Sequence, residues 1–201
     1  MFPWGNVKVS IFETKSNKNA RQILSTPTFP FHTFFPFHRL TMPSRFHNVV
    51  LTGACGGLGQ ALATALLDAG ARVALVGMDR TRLDALAARA PERSAVYTLD
   101  VADPAAMQAI AQDWMARHGL PDLVIANAGV AGGYDTAQAS DLAVMRRMLE
   151  INLLGVATTF QPFLAAAGSR PAQPLALVGV ASLAGWRGLP GNAPTAPARP
   201  G

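Results

Sequence analysis

The stretch Thr52-Gly53-Ala54-Cys55-Gly56-Gly57-Leu58-Gly59 carries the clearest chemistry in this sequence. It follows the apolar run Asn48-Val49-Val50-Leu51 and opens an apolar-periodic segment from Leu58 to Ala69, so it reads as strand, glycine turn, helix. Glycine suits that turn because the backbone must adopt positive φ and approach a pyrophosphate closely. Free N–H groups at the helix N-terminus then point at the anion. Gly53, Gly57 and Gly59 give the spacing G-x-x-x-G-x-G, distinct from the G-x-G-x-x-G of other dinucleotide folds. An ordinary glycine-rich turn has the same composition, so the surrounding sequence must decide. Cys55 sits inside the turn, where the helix dipole favours a thiolate, but a small apolar filler is the preferred reading. His32, His38, His47 and His118 show no ligand spacing with each other or with Cys55, and no metal site is expected.

The elements that would position the turn alternate along the chain. Asp68-Ala69-Gly70 supplies a glycine stop for the first helix, and Arg72 to Gly77 reads as a buried parallel strand. Thr81 to Ala90 carries Leu83, Leu86 and Ala87 at helical spacing, and Ser94 to Leu99 is a third strand. Asp103-Pro104 starts a helix to about Arg117, with proline well placed in its first turn. Leu123 to Ala126 is a fourth strand. Ser140-Asp141 then caps a long helix bearing Met145, Met148, Leu149, Asn152 and Leu153, and Leu175 to Val180 is a fifth strand. This alternation predicts an α/β fold: a Rossmann-like, doubly wound parallel sheet in three layers.

Besides the turn, the chain has Leu99-Asp100-Val101 after the third strand, Asn127-Ala128-Gly129 after the fourth, Asn152 in a helix and Ser182 after the fifth. In this order the motifs resemble the short-chain dehydrogenase/reductase family over Asn48 to about Gly191. The resemblance implies strand order 3-2-1-4-5-6-7 and NAD(P)-dependent interconversion of a small alcohol and a carbonyl. It also implies that Thr52, Gly53, Cys55, Gly56, Gly57, Leu58 and Gly59 cradle the cofactor, that Asp100 and Val101 lie near adenine, and that Asn127, Ala128 and Gly129 line the cofactor. By the same resemblance Ser182 hydrogen-bonds the substrate oxygen and Asn152 supports a water relay. Backbone-bonded structural roles are the plainer alternatives for both.

The family's proton-transferring Tyr and its Lys four residues on are matched in position by Thr195 and Arg199. A threonine hydroxyl is far less acidic than a phenol, and a guanidinium is no compact ammonium. The chain is therefore expected to turn over little or not at all. Pro194 to Pro200 can be encoded by CCT ACA GCG CCA GCA AGG CCG, which read from its third base gives Tyr-Ser-Ala-Ser-Lys-Ala; a frame disruption near codon 194 is the expected cause. The Pro-rich tail 190–201 cannot form a regular helix, the fold is read as C-terminally incomplete, and an exposed sheet edge and a lost subunit interface are expected. Family members are usually homo-oligomers, and this chain is not expected to assemble normally. A non-catalytic dinucleotide-binding or regulatory protein is the alternative function.

Cofactor choice rests on the end of the second strand, where an acid favours NAD and a base favours NADP. Gly77 holds the acid position and Met78 follows it; Asp79 would favour NAD, whereas Arg80 or Arg82 could reach a phosphate, and NADP is preferred.

Composition bounds the rest. With 201 residues, 50% hydrophobic and 14% charged, the chain suits one globular domain. The formal charge of +5 lies almost wholly in residues 1–41, where all three lysines and seven of the ten phenylalanines also lie. The remainder carries +1, so no nucleic-acid partner is expected. Residues 1–41 are read as a mis-called or disordered extension with translation starting at Met42, and 42–201 as the NAD(P)-binding domain; a membrane or partner anchor is a further reading of the arm. A single cysteine suits a reducing cytoplasm. With no run of 18 apolar residues, no membrane-spanning helix is expected.

Overall fold

The computed structural model describes residues 7–14, 46–132, 135, 137–169 and 174–182. Its strands are β1 (Val7–Thr14), β2 (Asn48–Thr52), β3 (Arg72–Gly77), β4 (Ser94–Thr98), β5 (Leu123–Ala126) and β6 (Leu175–Ser182). They form one sheet in the order β1-β6-β5-β2-β3-β4, every neighbouring pair parallel. Between them lie α1 (Gly57–Asp68), α2 (Arg80–Ala87), α3 (Pro104–His118), α4 (Leu142–Leu149) and α5 (Gly155–Gly168), with a π-helical turn, Glu150–Leu154, joining the last two.

Strand residues alternate between two cores, as the pleat requires. Val49, Leu51, Leu75, Leu123 and Ile125 pack under α1 and α2 with Ala63, Leu67 and Leu83. Val50, Ala74, Val76, Val124 and Leu177 pack on the opposite side with Met107 and Trp114 of α3 and Phe163 of α5. Most of these side chains are fully buried, and each fully buried Val, Leu or Phe contributes about 1.5–3 kcal/mol. The result is the expected three-layer, doubly wound α/β architecture.

Polar anchors hold the layers in register. Asn48 donates its amide to the carbonyls of His118, Gly119 and Leu120 and accepts from Trp114 Nε1 at 2.8 Å. Asp122 accepts from the backbone N–H groups of His47 and Asn48, fixing where β2 and β5 begin. Arg93 donates to the carbonyls of Leu67 and Ala71 and satisfies acceptors left at the end of α1.

Two expectations need correction. The outer edge of β6 is not exposed: β1 pairs with it from Val7↔Leu175 to Thr14↔Ser182. The segment Val-Lys-Val-Ser-Ile-Phe-Glu-Thr has the β-branched, alternating sequence of a strand former, which explains structure inside the region read as an extension. Second, the helical run Ala139–Gly168 is long and apolar enough, by length and composition, to cross a membrane. Arg146, Arg147 and Glu150 in its first half break it up, so it holds no continuous apolar run of 18 residues. In this fold Thr159, Pro162 and Phe163 of α5 are buried.

Candidate functional site

The candidate residues lie at the carboxyl ends of the strands, around the gap between β2 and β5. There the chain order reverses: β3 and β4 extend the sheet one way, β5 and β6 the other. Open α/β sheets bind ligands at such a point.

The turn after β2 is built for close approach. Gly53 has φ of 66°, and a Cβ on it would lie 2.7 Å from Ala128 Cα. A Cβ on Gly59 would lie 2.0 Å from the Gly53 carbonyl oxygen, so α1 can start this close to the turn only with glycine there. Gly56 is the N-cap and offers no side chain, which leaves the first turn of α1, including Gly57, Leu58 and Gly59, without a side-chain cap. Gly56 N–H bonds back to Gly53 at 3.1 Å, and Gln60 Nε2 donates to the Cys55 carbonyl at 2.8 Å, closing the loop on itself.

Thr52 and Asn127 tie the two strand ends together. The fully buried Thr52 hydroxyl donates to the Ile125 carbonyl and accepts from the N–H groups of Asn127 and Ala128. Asn127 returns its amide to the carbonyls of Thr52 and Gly53 at 3.1 and 3.2 Å. Gly129 continues that turn, 3.3 Å from the Asn152 side-chain oxygen by the position its Cβ would take.

Asn152 lies in the π-helical turn and grips the next residue of the same loop. Its Oδ1 accepts from Val130 N–H and its Nδ2 donates to the Val130 carbonyl, both at 2.8 Å. Single π turns inside helices often mark functional sites. Beyond them, Asp100 accepts from Ala102 N–H at 3.0 Å and forms an ion pair with Arg147 of α4. The Ala102 hydrogen bond, opposed by burial and reinforced by Arg147, holds the Asp100 carboxyl below the usual carboxylate range. Val101 is buried against Gly155, whose Cβ would meet it at 2.8 Å.

At the end of β3, a Cβ on Gly77 would lie 2.8 Å from Cys55 Sγ, so the cysteine occupies the space that an acidic side chain would need there. Asp79 caps α2 by accepting from Arg82 N–H and pairs with the Arg82 guanidinium. Arg80 is turned along the helix onto both oxygens of Asp84 at 2.9 Å. Arg82 instead reaches back to the Cys55 carbonyl at 3.5 Å.

Ser182 ends β6, three residues beyond the Gly179 that pairs with Ala126, and its side chain is exposed. Thr195, Arg199 and the tail 190–201 lie outside the described residues. The sequence reading missed Gln60, Val130 and Arg147. Gln60 was the most accessible of these, being one residue past the glycine turn.

Among the described residues no group of three or more His, Cys, Asp or Glu side chains could hold a metal ion. The donor set suits a dinucleotide instead: an uncapped helix start, a turn that excludes side chains, and a carboxylate and backbone loop on the far side of the same gap.

Comparison with known proteins agrees with this fold. The family model described as short chain dehydrogenase matches residues 47–195, and the chain belongs to that family. It is 36% identical over 110 residues to the short chain dehydrogenase/reductase dpmpG of Macrophomina phaseolina, covering 53% of this chain and 63% of that protein. An uncharacterized oxidoreductase of Myxococcus xanthus is 36% identical over 151 residues, covering 74% of this chain and 58% of that protein. Among solved structures, an actinorhodin polyketide ketoreductase with NADPH superposes with a TM-score of 0.68 at 28% identity, covering 74% of this chain and 58% of that one. The chain thus spans roughly three fifths of the length of these three proteins.

Proposed function

We propose that this chain binds NADP across the carboxyl ends of β2 and β5 and carries the framework of an NAD(P)-dependent oxidoreductase acting on a small alcohol or carbonyl. The observation that carries the proposal is the uncapped start of α1 beneath a turn in which Gly53 and Gly59 leave no room for side chains. The α1 N–H groups would hold the pyrophosphate, Asp100 and Val101 would flank adenine, and the Asn127–Gly129 turn would line the nicotinamide half. When bound, the cofactor supplies a hydride acceptor or donor.

The preference for NADP over NAD follows from charge and space. Position 77 offers no carboxylate to ribose hydroxyls, and Asp79 is engaged in capping α2. Arg82, lying against the turn, is the cation placed to meet an additional phosphate.

In the proposed reaction Ser182 would hydrogen-bond the substrate oxygen. Asn152 would act by holding the Val130 backbone, leaving the water relay to whatever that loop presents. With Thr195 and Arg199 at the Tyr and Lys positions, those two positions offer no phenol for proton transfer, and turnover stays near background. The same residues support the second reading, a dinucleotide-binding protein that performs no catalysis. A cytoplasmic location fits the single cysteine and this cofactor.

The test is a fluorescence titration of the purified chain with NADPH and with NADH, followed by an alcohol and carbonyl turnover screen. NADPH is expected to bind more tightly than NADH, without turnover; failure of both to bind would overturn the proposal. Resequencing the gene from codon 185 onward separates the two readings. A Tyr-Ser-Ala-Ser-Lys frame there supports a disrupted enzyme, and its absence supports a binding protein.

A further inference from the structure

We propose that Arg147 and Gly155 are positioning residues: across the π turn they clamp the loop at Asp100 and Val101, and so set where Asn152 holds the loop after β5. One helical unit thereby ties the two sides of the candidate site together. Assigning those loops to the adenine and nicotinamide ends of a cofactor rests on the dinucleotide reading, whereas the clamp itself does not.

The π turn supplies the register. Arg147 and Gly155 are eight residues apart. In an uninterrupted α-helix, at about 100° per residue, they would stand about 80° apart around the axis. Here Gly155 N–H donates to the carbonyl of Glu150, a π-type bond. The one extra residue in that turn brings Arg147 and Gly155 to within about 20° of each other. Both therefore meet the same loop, Arg147 through its ion pair with Asp100 and Gly155 through its backbone against Val101. Asn152, inside the π turn, reaches the other loop.

Gly155 is the tight point of the clamp. A Cβ there would lie 2.8 Å from Val101 Cγ2 and 3.5 Å from Val101 Cβ. Valine has little freedom at χ1, and Val101 is buried. A methyl group at position 155 must therefore move the helix or the loop.

The other side of the unit is equally close to its loop. Asn152 holds both backbone groups of Val130 at 2.8 Å. Val144 Cγ1 and Met148 Sδ of α4 lie 3.4 and 3.8 Å from where a Cβ on Gly132 would stand. Among the described residues no hydrogen bond joins residues 100–102 directly to residues 127–130; Asp100 and Val130 each bond to the helical unit instead. A displacement at Val101 thus passes to Val130 through the short backbone from Gly155 to Asn152.

The test reads the Val130 amide in the full chain by hydrogen exchange followed with NMR, with the buried Leu51 of β2 as the reference for global stability. Gly155→Ala is expected to speed exchange at Val130 at least ~fivefold relative to Leu51, although the added methyl group lies against Val101 and not against Val130. Alanine is the better helix former, so the loosening reports the contact. Adding Val101→Ala removes the γ-carbons and is expected to restore the parent rate. Val130 exchange that merely follows Leu51 in Gly155→Ala, or that the second substitution does not restore, overturns the proposal. Should Gly155→Ala fail to fold, Arg147→Gln, which removes a half-exposed ion pair, is expected to speed Val130 exchange about twofold, and an unchanged rate overturns the clamp. Adenosine 2′,5′-bisphosphate, which has the adenine end of NADP and no nicotinamide, is then added to the parent and to Gly155→Ala. It is expected to slow Val130 exchange several-fold in the parent only. Binding without that protection overturns the coupling of the two loops. Failure to bind counts against the dinucleotide reading, and the ligand-free comparison then decides the clamp.

Discussion

At the scale of single residues, the site is governed by where a side chain is absent. Gly59→Ala would push a methyl group to 2.0 Å from the Gly53 carbonyl oxygen, a contact that only movement of the turn or of α1 can relieve. The expected cost is about 1–3 kcal/mol of stability, with loss of NADPH binding, measured by urea denaturation and by the same fluorescence titration. Gly57 offers the internal contrast, since a Cβ there meets nothing within 4 Å, and Gly57→Ala should leave stability within about 1 kcal/mol of the parent. At the other lip of the turn, Arg82→Ala should weaken NADPH binding by about tenfold, the loss of one charge-assisted contact, and leave NADH nearly unchanged. Equal effects on both cofactors would show that Arg82 supports the turn through the Cys55 carbonyl and does not read the phosphate.

At the scale of elements, the site depends on how α4, the π turn and α5 are fastened to the loops after β4 and β5. Asn152 is the main fastener on the β5 side, with one donor and one acceptor matched to the Val130 backbone. Asn152→Ala removes both bonds and is expected to cost about 1 kcal/mol. Asn152→Asp should cost at least as much, because it keeps an acceptor for the Val130 N–H but sets a carboxylate against the Val130 carbonyl. Thermal melts of the three proteins check the order. The elements themselves were legible: β3 and β5 follow their apolar runs residue for residue, and α3 begins at the Asp103-Pro104 signal, where the carboxylate accepts from Ala105 and Ala106 N–H. What the sequence could not show were pairings without a local signature. Asp100 and Arg147 are 47 residues apart, and nothing in either segment marks the other. The π turn has no composition signal, so Asn152 could be placed in a helix but its partner could not be named. The strand at Val7–Thr14 was hidden for a different reason, namely that its neighbours in sequence read as a mis-called or disordered extension and its partner in space lies more than 160 residues away.

For the whole molecule, the charged and aromatic groups at the far end of the sheet set a pH window for stability. His118 stacks edge-on against Trp114 with ring centroids 4.3 Å apart, and burial, with Arg72 and Arg117 adding repulsion, pushes its pKa below the ordinary 6.5. The folded state therefore resists a proton that the unfolded chain accepts, so stability is full above pH 6.5 and falls as pH drops through the lowered value. Asp100 and Asp113, both held below the ordinary 3.8, add a second loss at more acid pH, as the unfolded carboxylates protonate first. On the alkaline side Tyr97 is half-buried, donates to Asp113 at 2.6 Å and has its pKa pushed well above 10 by burial and by that bond. The unfolded chain gives up its phenolic proton from pH 10 upward while the folded one keeps it, so stability declines there. Urea midpoints should thus form a plateau between about pH 6.5 and 10, bounded by one group on each side. His118→Gln should flatten the limb just below pH 6.5 and leave the alkaline limb alone, and Tyr97→Phe should do the converse. A limb that keeps its slope in the corresponding variant would assign the linkage to other groups.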